Sequence, residues 1–189
     1  MTKRYRFSLF KPFRPLSEDC ISVGYVIDLR TKKPILFLDV IKDLLKNHRQ
    51  TCCFVEEREA DNHPGEFYAL IWIDAMTFTQ EVLNDKLNGE VMMMHELGHY
   101  ICGHHKDEKY IENYSKVRKE YDGVMPQELE ADEFAIRECG INRFLRFIDK
   151  MIATRESYTW DKNREKAVKE FKLRREHAIE YAKTLPSEE

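Results

Sequence analysis

The sequence predicts an α+β fold in which a small antiparallel sheet packs on a helix bundle. Two segments rich in strand-forming residues flank a turn-forming stretch before residue 75, and several segments with helical spacing follow that point. The first of these helical segments contains the stretch VMMMHELGHYICGHH, residues 91–105, which places four histidines and a glutamate among apolar residues. With 189 residues, 42% of them hydrophobic, the chain can form one domain with a substantial core.

The N-terminal third carries the weaker signals. Residues 21–28, ISVGYVID, are rich in strand-forming residues and predict a strand, while the remainder is expected to be irregular except for one helix. That helix is predicted over residues 34–48, where Pro34 suits a first turn and apolar residues recur at helical spacing. The recurring apolar residues are Ile35, Leu38, Ile41, Leu44 and Leu45.

The middle and C-terminal parts carry clearer signals. TCCFVEER and EFYALIWID, separated by the turn-forming residues 60–65, predict a β-hairpin. Helical spacing follows, with Gly103 and Gly140 suited to the ends of the first two helices and Pro126 to the start of the second. A polar connection is expected over residues 106–125. The predicted helices span residues 88–102, 126–139, 142–154 and 161–183.

Composition and charge exclude several functional classes. The net charge is −3, and the basic residues of the C-terminal helices are interleaved with acidic ones, so we expect no direct nucleic-acid binding. No apolar run reaches the roughly 18 residues that a membrane span needs, and the N-terminus lacks the apolar core of a secretion signal. The five cysteines form no C-x-x-C pair and are expected to be reduced thiols in a cytoplasmic protein.

The HELGH motif at residues 95–99 has the spacing of a metal site. Because one helical turn takes about 3.6 residues, His95 and His99 project from one face of a helix and can both bind one Zn²⁺. Glu96 lies beside them in the position of a general base, which accepts a proton as water attacks a peptide carbonyl. A bound zinc ion lowers the pKa of that water and polarises the carbonyl.

A catalytic zinc usually has three protein ligands, and Glu128 is the favoured third. It lies 29 residues after His99 in the segment PQELEADEFA. Asp132 follows one turn later, where its carboxylate can accept the spare N–H of a ligand histidine. The small residues Ala131 and Ala135 are expected to let this helix approach the histidine-bearing helix closely.

Two other residues compete with Glu128 as the third ligand. His105 stands where metzincins carry their third histidine, although Cys102 replaces the glycine of that pattern. Glu130 is turned roughly 200° from Glu128 around a helix, so both cannot face one metal. His104 and His105 are otherwise expected to be exposed polar residues at a helix end, with a role near the catalytic cleft as the alternative. Cys102 is expected to be a small buried thiol.

HELGHY followed by ELEADEFA resembles the ImmA/IrrE-type metallopeptidases, a gluzincin-like group. The resemblance covers roughly residues 66–140, and its E-x-x-A-D part is also similar to membrane-bound gluzincins related to the CAAX prenyl protease. It implies that His95, His99 and Glu128 bind zinc and that Glu96 is the general base. It also implies intracellular, regulatory proteolysis of a protein or peptide, such as a helix-turn-helix repressor.

These observations predict a zinc-dependent intracellular metalloendopeptidase that uses metal-activated water. Residues 1–154 form the predicted metallopeptidase domain, and residues 155–189 a helical C-terminal extension of the same domain. One hairpin strand, 66–74 in preference to the other, is expected to line the cleft and pair with an extended peptide.

Two alternative functions are a non-proteolytic, zinc-containing regulatory binding module and a metallohydrolase of small peptides. Glu96 argues against the binding module, because a structural zinc site needs no base beside an open coordination position.

Overall fold

One layer of the molecule is a sheet that has five strands within the described residues. The computed structural model describes residues 3–42, 53–106 and 123–186. The strands are β1 (Tyr5–Pro15), β2 (Cys20–Asp28), β3 (Pro34–Ile41), β4 (Cys53–Ala60) and β5 (His63–Asp74). Their order across the sheet is β1-β2-β3-β5-β4, so β1 and β4 form its two edges.

The sheet is antiparallel except at one central pair. β1 with β2, β2 with β3, and β4 with β5 run antiparallel, whereas β3 and β5 run parallel. Ala60 pairs with His63 at the tight turn between β4 and β5, which confirms the predicted hairpin. Together with the helices, this mostly antiparallel sheet confirms the α+β class.

β3 corrects the prediction for residues 34–48, because its residues form a strand and not a helix. Leu36, Leu38 and Val40 are buried with exposed fractions of 0, 1 and 7%, which is a period of two. β3 lies between β2 and β5, and apolar residues occupy both of its faces. An apolar run of this kind contains residues at helical spacing by coincidence. Residues 43–48 lie outside the described residues.

The described part of the N-terminal third is mostly sheet, and the expectation that it is irregular is wrong there. β2 confirms the strand predicted over residues 21–28, but β1 is absent from the prediction. Tyr5, Phe7 and Leu9 alternate with polar residues in β1 and pack against the core. Two prolines and several basic residues obscure this alternation, and they are tolerated because β1 is an edge strand.

The four predicted helices are confirmed, with ends that shift by up to three residues. A short helical segment, Ala75–Thr77, continues as a π-helix, Phe78–Leu83, between β5 and the first long helix. Gly103 and Gly140 follow the first two long helices with φ of 77° and 86°, a conformation that favours glycine. The connection predicted over residues 106–125 lies largely outside the described residues. The helices are α1 (Lys86–Ile101), α2 (Pro126–Cys139), α3 (Ile141–Ser157) and α4 (Arg164–Ala182).

α1 and α2 pack with their backbones in close contact. A Cβ atom built on Gly98 would lie 2.9 Å from the Cα atom of Ala131 and 3.1 Å from the Cβ atom of Phe134. Ala131 and Ala135 are fully buried, as expected for small residues at a close helix contact. Glycine inside the HELGH motif therefore lets the histidine-bearing face of α1 reach α2.

α4 packs on the rest of the molecule and contributes to its core. Phe171 and Ala178 from α4 are buried in the same apolar cluster as residues of the sheet and of α1. The domain boundary predicted after residue 154 falls inside α3. Among the described helices, none combines the length and the apolar character that crossing a membrane requires.

Candidate metal centre

Two helices bring His95, His99 and Glu128 together at one point. The histidines lie one turn apart on the buried face of α1, and Glu128 lies in the first turn of α2, which Pro126 begins. One nitrogen or oxygen atom from each side chain lies within 4.8 Å of the others. All three residues are buried, with exposed fractions of 7 to 8%.

The distances among these atoms fit a tetrahedral zinc site. Nε2 of His95 lies 3.1 Å from Nε2 of His99 and 3.4 Å from Oε2 of Glu128, and Nε2 of His99 lies 3.8 Å from Oε1 of Glu128. Ligand atoms around a tetrahedral zinc with bonds of about 2.0–2.1 Å are about 3.3–3.4 Å apart. The three nearest distances lie within about half an ångström of that spacing, and the two to Glu128 involve different oxygens, so its carboxylate must turn to present one oxygen to a metal.

Asp132 and Arg174 fix the orientation of His95. Nδ1 of His95 lies 2.9 Å from Oδ1 of Asp132, which is the contact expected for a carboxylate that accepts the spare N–H of a ligand. Arg174 from α4 donates to both oxygens of Asp132, from Nε at 2.7 Å and from Nη2 at 2.6 Å. Its Nη1 lies 3.3 Å from Oε2 of Glu128, so one guanidinium forms ion pairs with both carboxylates.

Electrostatics within this cluster keep both carboxyl groups ionised although they are buried. Burial opposes ionisation, but the nearby His95 and Arg174 hold the pKa values of Glu128 and Asp132 below their usual range. Burial lowers the pKa of His95, yet Asp132 and Glu128 outweigh it and raise that pKa to about 10. Burial and the charge of His95 lower the pKa of His99 to about 3. His99 is thus a neutral imidazole beside anionic oxygens, whereas His95 is protonated in the metal-free site, so a divalent cation must displace its Nε2 proton to bind there.

A second chain of hydrogen bonds leads from His99 to the surface. Nδ1 of His99 lies 2.9 Å from Nδ1 of His104, and Nε2 of His104 lies 2.9 Å from Oε2 of Glu130. His104 is 6% exposed, so the prediction of an exposed residue is wrong for it. Gly103 turns the chain after α1, and His104 follows in a short 3₁₀ turn, His104–Lys106.

The hydrogen-bonding pattern assigns the ring protons along this chain. If Nε2 of His99 is to bind a metal, its Nδ1 carries the proton and donates to Nδ1 of His104. Nε2 of His104 then carries a proton and donates to Glu130. His104 and Glu130 therefore support His99 as Asp132 and Arg174 support His95.

Glu96, the predicted general base, is buried beside the three converging side chains. It is 8% exposed, and burial raises its pKa to about 7, with Glu128 adding to the rise. His95 and a hydrogen bond from Cys53 act in the opposite direction. A carboxyl group with a pKa near neutrality can both accept and return a proton at physiological pH.

β4, and not β5, is the hairpin strand with an outer edge. β5 lies between β3 and β4, so the preference for residues 66–74 as a strand that pairs with a peptide is wrong. Among the described strands, only β5 pairs with β4. Cys53, the first residue of β4, contacts Glu96, which places this strand beside the predicted base.

The competing ligand candidates lie elsewhere. The ring of His105 stacks on that of Tyr100 with centroids 4.8 Å apart, and His105 is absent from the described group of converging ligand atoms. Glu130 faces His104, in agreement with its predicted rotation away from Glu128. Cys102 is exposed, so the prediction of a buried thiol is wrong.

Arg174 is a supporting residue that the sequence interpretation missed, whereas a role for His104 near the cleft was one of two expectations. Arg174 had a usable signal, since it lies three residues after Phe171 and four before Ala178 on the buried face of α4. His104 had no comparable signal, because its burial depends on the turn at Gly103 and on the position of α2.

Comparison with known proteins adds no further assignment. No protein-family model, no curated protein and no solved structure matches the chain. The functional interpretation therefore depends on the residues of the site, on their geometry and on the motif resemblance.

Proposed function

We propose that the chain is a zinc-dependent metalloendopeptidase of the ImmA/IrrE type. The observation that carries the proposal is the spacing of 3.1 to 3.8 Å among His95 Nε2, His99 Nε2 and the carboxylate of Glu128. Glu96 supports a catalytic rather than a structural site, because it is a buried carboxyl group next to a set of only three ligands.

The side chains of the site have distinct roles in this proposal. A bound zinc ion supplies Lewis acidity, which lowers the pKa of water and polarises the carbonyl of the scissile bond. Glu96 accepts the proton of the attacking water and passes it to the leaving amine. Asp132 holds His95, and His104 holds His99, so that each ring keeps one nitrogen free for the metal.

We place the substrate along the outer edge of β4. An extended peptide can add a strand to a sheet edge through main-chain hydrogen bonds. Support comes from the position of β4 at the sheet edge and from the contact between Cys53 and Glu96. A peptide paired with β4 would pass close to the base that must act on it.

The cellular setting and the class of substrate belong to the same proposal. Among the described cysteines, Cys20, Cys102 and Cys139 are free thiols, which suits a cytoplasmic protein. The motif resemblance favours regulatory cleavage of another protein, such as a helix-turn-helix repressor.

Replacing Glu96 with glutamine tests the proposal. Zinc content is measured on purified protein, and hydrolysis is measured on a library of peptides by counting new amino termini with mass spectrometry. We expect Glu96→Gln to keep zinc, because the ligands are unchanged, and to lose hydrolysis by at least a hundredfold, because the general base is gone.

A matched control is Glu90→Gln, which changes a carboxylate on the same helix. Glu90 pairs with Lys3 and Arg143 away from the metal centre, so this variant is expected to cleave like the wild type. Full activity in Glu96→Gln would refute the mechanism. Zinc-loaded wild type that cleaves nothing would instead favour the non-proteolytic binding module.

A further inference from the structure

A second cluster of metal-binding residue types lies beside the metal centre. One ligand atom each from Cys102, His104 and Glu130 lies within 4.8 Å of the other two. His104 is buried, whereas Cys102 is exposed and the side chain of Glu130 is 57% exposed. The cluster therefore opens to solvent on one side and is anchored on the other.

The end of α1 brings two of these residues together. Cys102 caps the helix, with its N–H donating to the carbonyl of Gly98 at 2.9 Å. Gly103 then adopts φ of 77°, and the chain turns so that His104 reaches Glu130 on α2. The short turn and the close packing of α1 on α2 thus place a thiol, an imidazole and a carboxylate at one spot.

We propose that Cys102, His104 and Glu130 form a second zinc site. Thiolate, imidazole and carboxylate are the three side-chain ligands that zinc accepts, and water from the exposed side can complete a tetrahedron. The site is expected to bind more weakly than the first, because zinc binding must order the exposed side chains of Cys102 and Glu130, whereas the ligands of the first site are buried.

Occupation of the second site breaks the hydrogen bond that supports His99. As a ligand, Nε2 of His104 must offer its lone pair, so the ring proton moves to Nδ1. There it would face the proton on Nδ1 of His99 across 2.9 Å, and both nitrogens cannot donate to each other. Excess zinc should therefore lower peptide hydrolysis, a consequence that rests on the proposed function.

A cobalt titration tests the second site without any activity measurement. A thiolate bound to Co²⁺ gives a near-ultraviolet charge-transfer band, and the first site contains no cysteine. We expect full-length protein to bind two equivalents of Co²⁺, with the thiolate band rising only as the second equivalent binds. Cys102→Ser should bind one equivalent and show no band.

Cys20→Ser is the matched control, because Cys20 is another free thiol and lies on β2, outside the cluster of Cys102, His104 and Glu130. It should keep both equivalents and the band. Binding of a single equivalent by the wild type, or a band that persists in Cys102→Ser, would overturn the second site.

Zinc inhibition separates this inference from the proposed function. If the wild type hydrolyses peptides, excess zinc should slow it several-fold, and Cys102→Ser should be far less sensitive. Equal inhibition of both proteins would overturn the coupling to His99. If neither protein cleaves peptides but the cobalt band follows Cys102, the proposed function fails and the second site stands.

Discussion

The guanidinium of Arg174 lies where two buried carboxylates meet. It donates twice to Asp132 and approaches Glu128 at 3.3 Å, while only 6% of the residue is exposed. Carboxylates buried without a cation are costly, so Arg174 stabilises the metal-free site in the arrangement that zinc would find. At the residue scale, a side chain outside the group of candidate ligands thus holds Asp132 and the candidate ligand Glu128 in place.

Replacing Arg174 with methionine should destabilise the metal-free protein. The change leaves two buried carboxylates without their shared cation, and the expected loss is about 3–5 kcal/mol of unfolding free energy. Urea denaturation after chelation measures it. Arg174→Lys should lose less unfolding free energy, because lysine keeps the positive charge. It should still lose some, because lysine cannot make the bidentate contact with Asp132.

The neighbouring Arg175 provides the control for this change. The side chain of Arg175 is 38% exposed and pairs with Asp149 at 2.7 Å, so Arg175→Met should leave stability almost unchanged. Equal losses in the two variants would show that burial of Arg174 has no special importance.

At the scale of elements, α1 carries the two candidate ligand histidines, and Asp85 caps its N-terminus. Oδ1 of Asp85 accepts the N–H of Asn88 at 3.2 Å, and Oδ2 accepts a hydrogen bond from Arg146 of α3 at 2.9 Å. This cap satisfies a backbone donor at the start of α1 and ties the helix to a neighbour.

Asp85→Ala should lower the unfolding free energy by about 1 kcal/mol at neutral pH, which is the usual value of an N-cap. Although burial opposes it, the N–H of Asn88 and the charge of Arg146 lower the pKa of Asp85 in the folded state. The contribution is therefore fully present above the ordinary pKa of aspartate and is lost as the pH falls through the lower, folded value.

Urea titrations of wild type and variant over a pH series measure this effect. Asp85→Asn keeps an oxygen that can cap the helix and should lose less than Asp85→Ala at neutral pH. A difference between wild type and Asp85→Ala that grows on acidification would contradict the assigned role.

The elements that the sequence predicted are those with local signals. Pro126, Gly103 and Gly140 mark helix ends, and the turn at residues 60–65 marks the hairpin. β3 was mistaken for a helix because a strand in the middle of a sheet is apolar on both faces, a property of its neighbours that a single segment does not reveal.

The same distinction between local and distant signals applies to the candidate site. His95 and His99 are one helical turn apart, so their convergence follows from spacing, and Glu128 was found through its relation to Asp132 on one helix face. Arg174 comes from another helix and reaches the site only through tertiary packing. Spacing along one segment could not predict that contact.

On the scale of the whole molecule, the candidate site joins three helices. α1 supplies two ligands, α2 supplies the third, and α4 supplies the guanidinium that compensates their charge. A metal that binds at such a junction binds only the folded protein, so its binding free energy adds to the free energy of unfolding.

Zinc should therefore raise the melting temperature of the protein. At one hundred times the dissociation constant, binding adds about 2.7 kcal/mol. For a chain of this size that corresponds to a shift of about 5–11 °C. Differential scanning calorimetry of Cys102→Ser measures the first site alone, because the proposed second site is then lost.

The control for the zinc effect is a double variant, His95→Ala with His99→Ala, in the same Cys102→Ser background. It lacks two of the three ligands and should show no zinc-dependent shift. An equal shift in the double variant would mean that zinc acts on the protein elsewhere.

The place of Arg174 in the order of the chain has a consequence for biosynthesis. Arg174 is synthesised 46 residues after Glu128, which is a delay of about 2–9 s at ordinary rates of translation. During that interval the nascent polypeptide holds every proposed ligand but not the cation that compensates Glu128 and Asp132. The candidate site would therefore gain its compensating cation only after α4 has been synthesised.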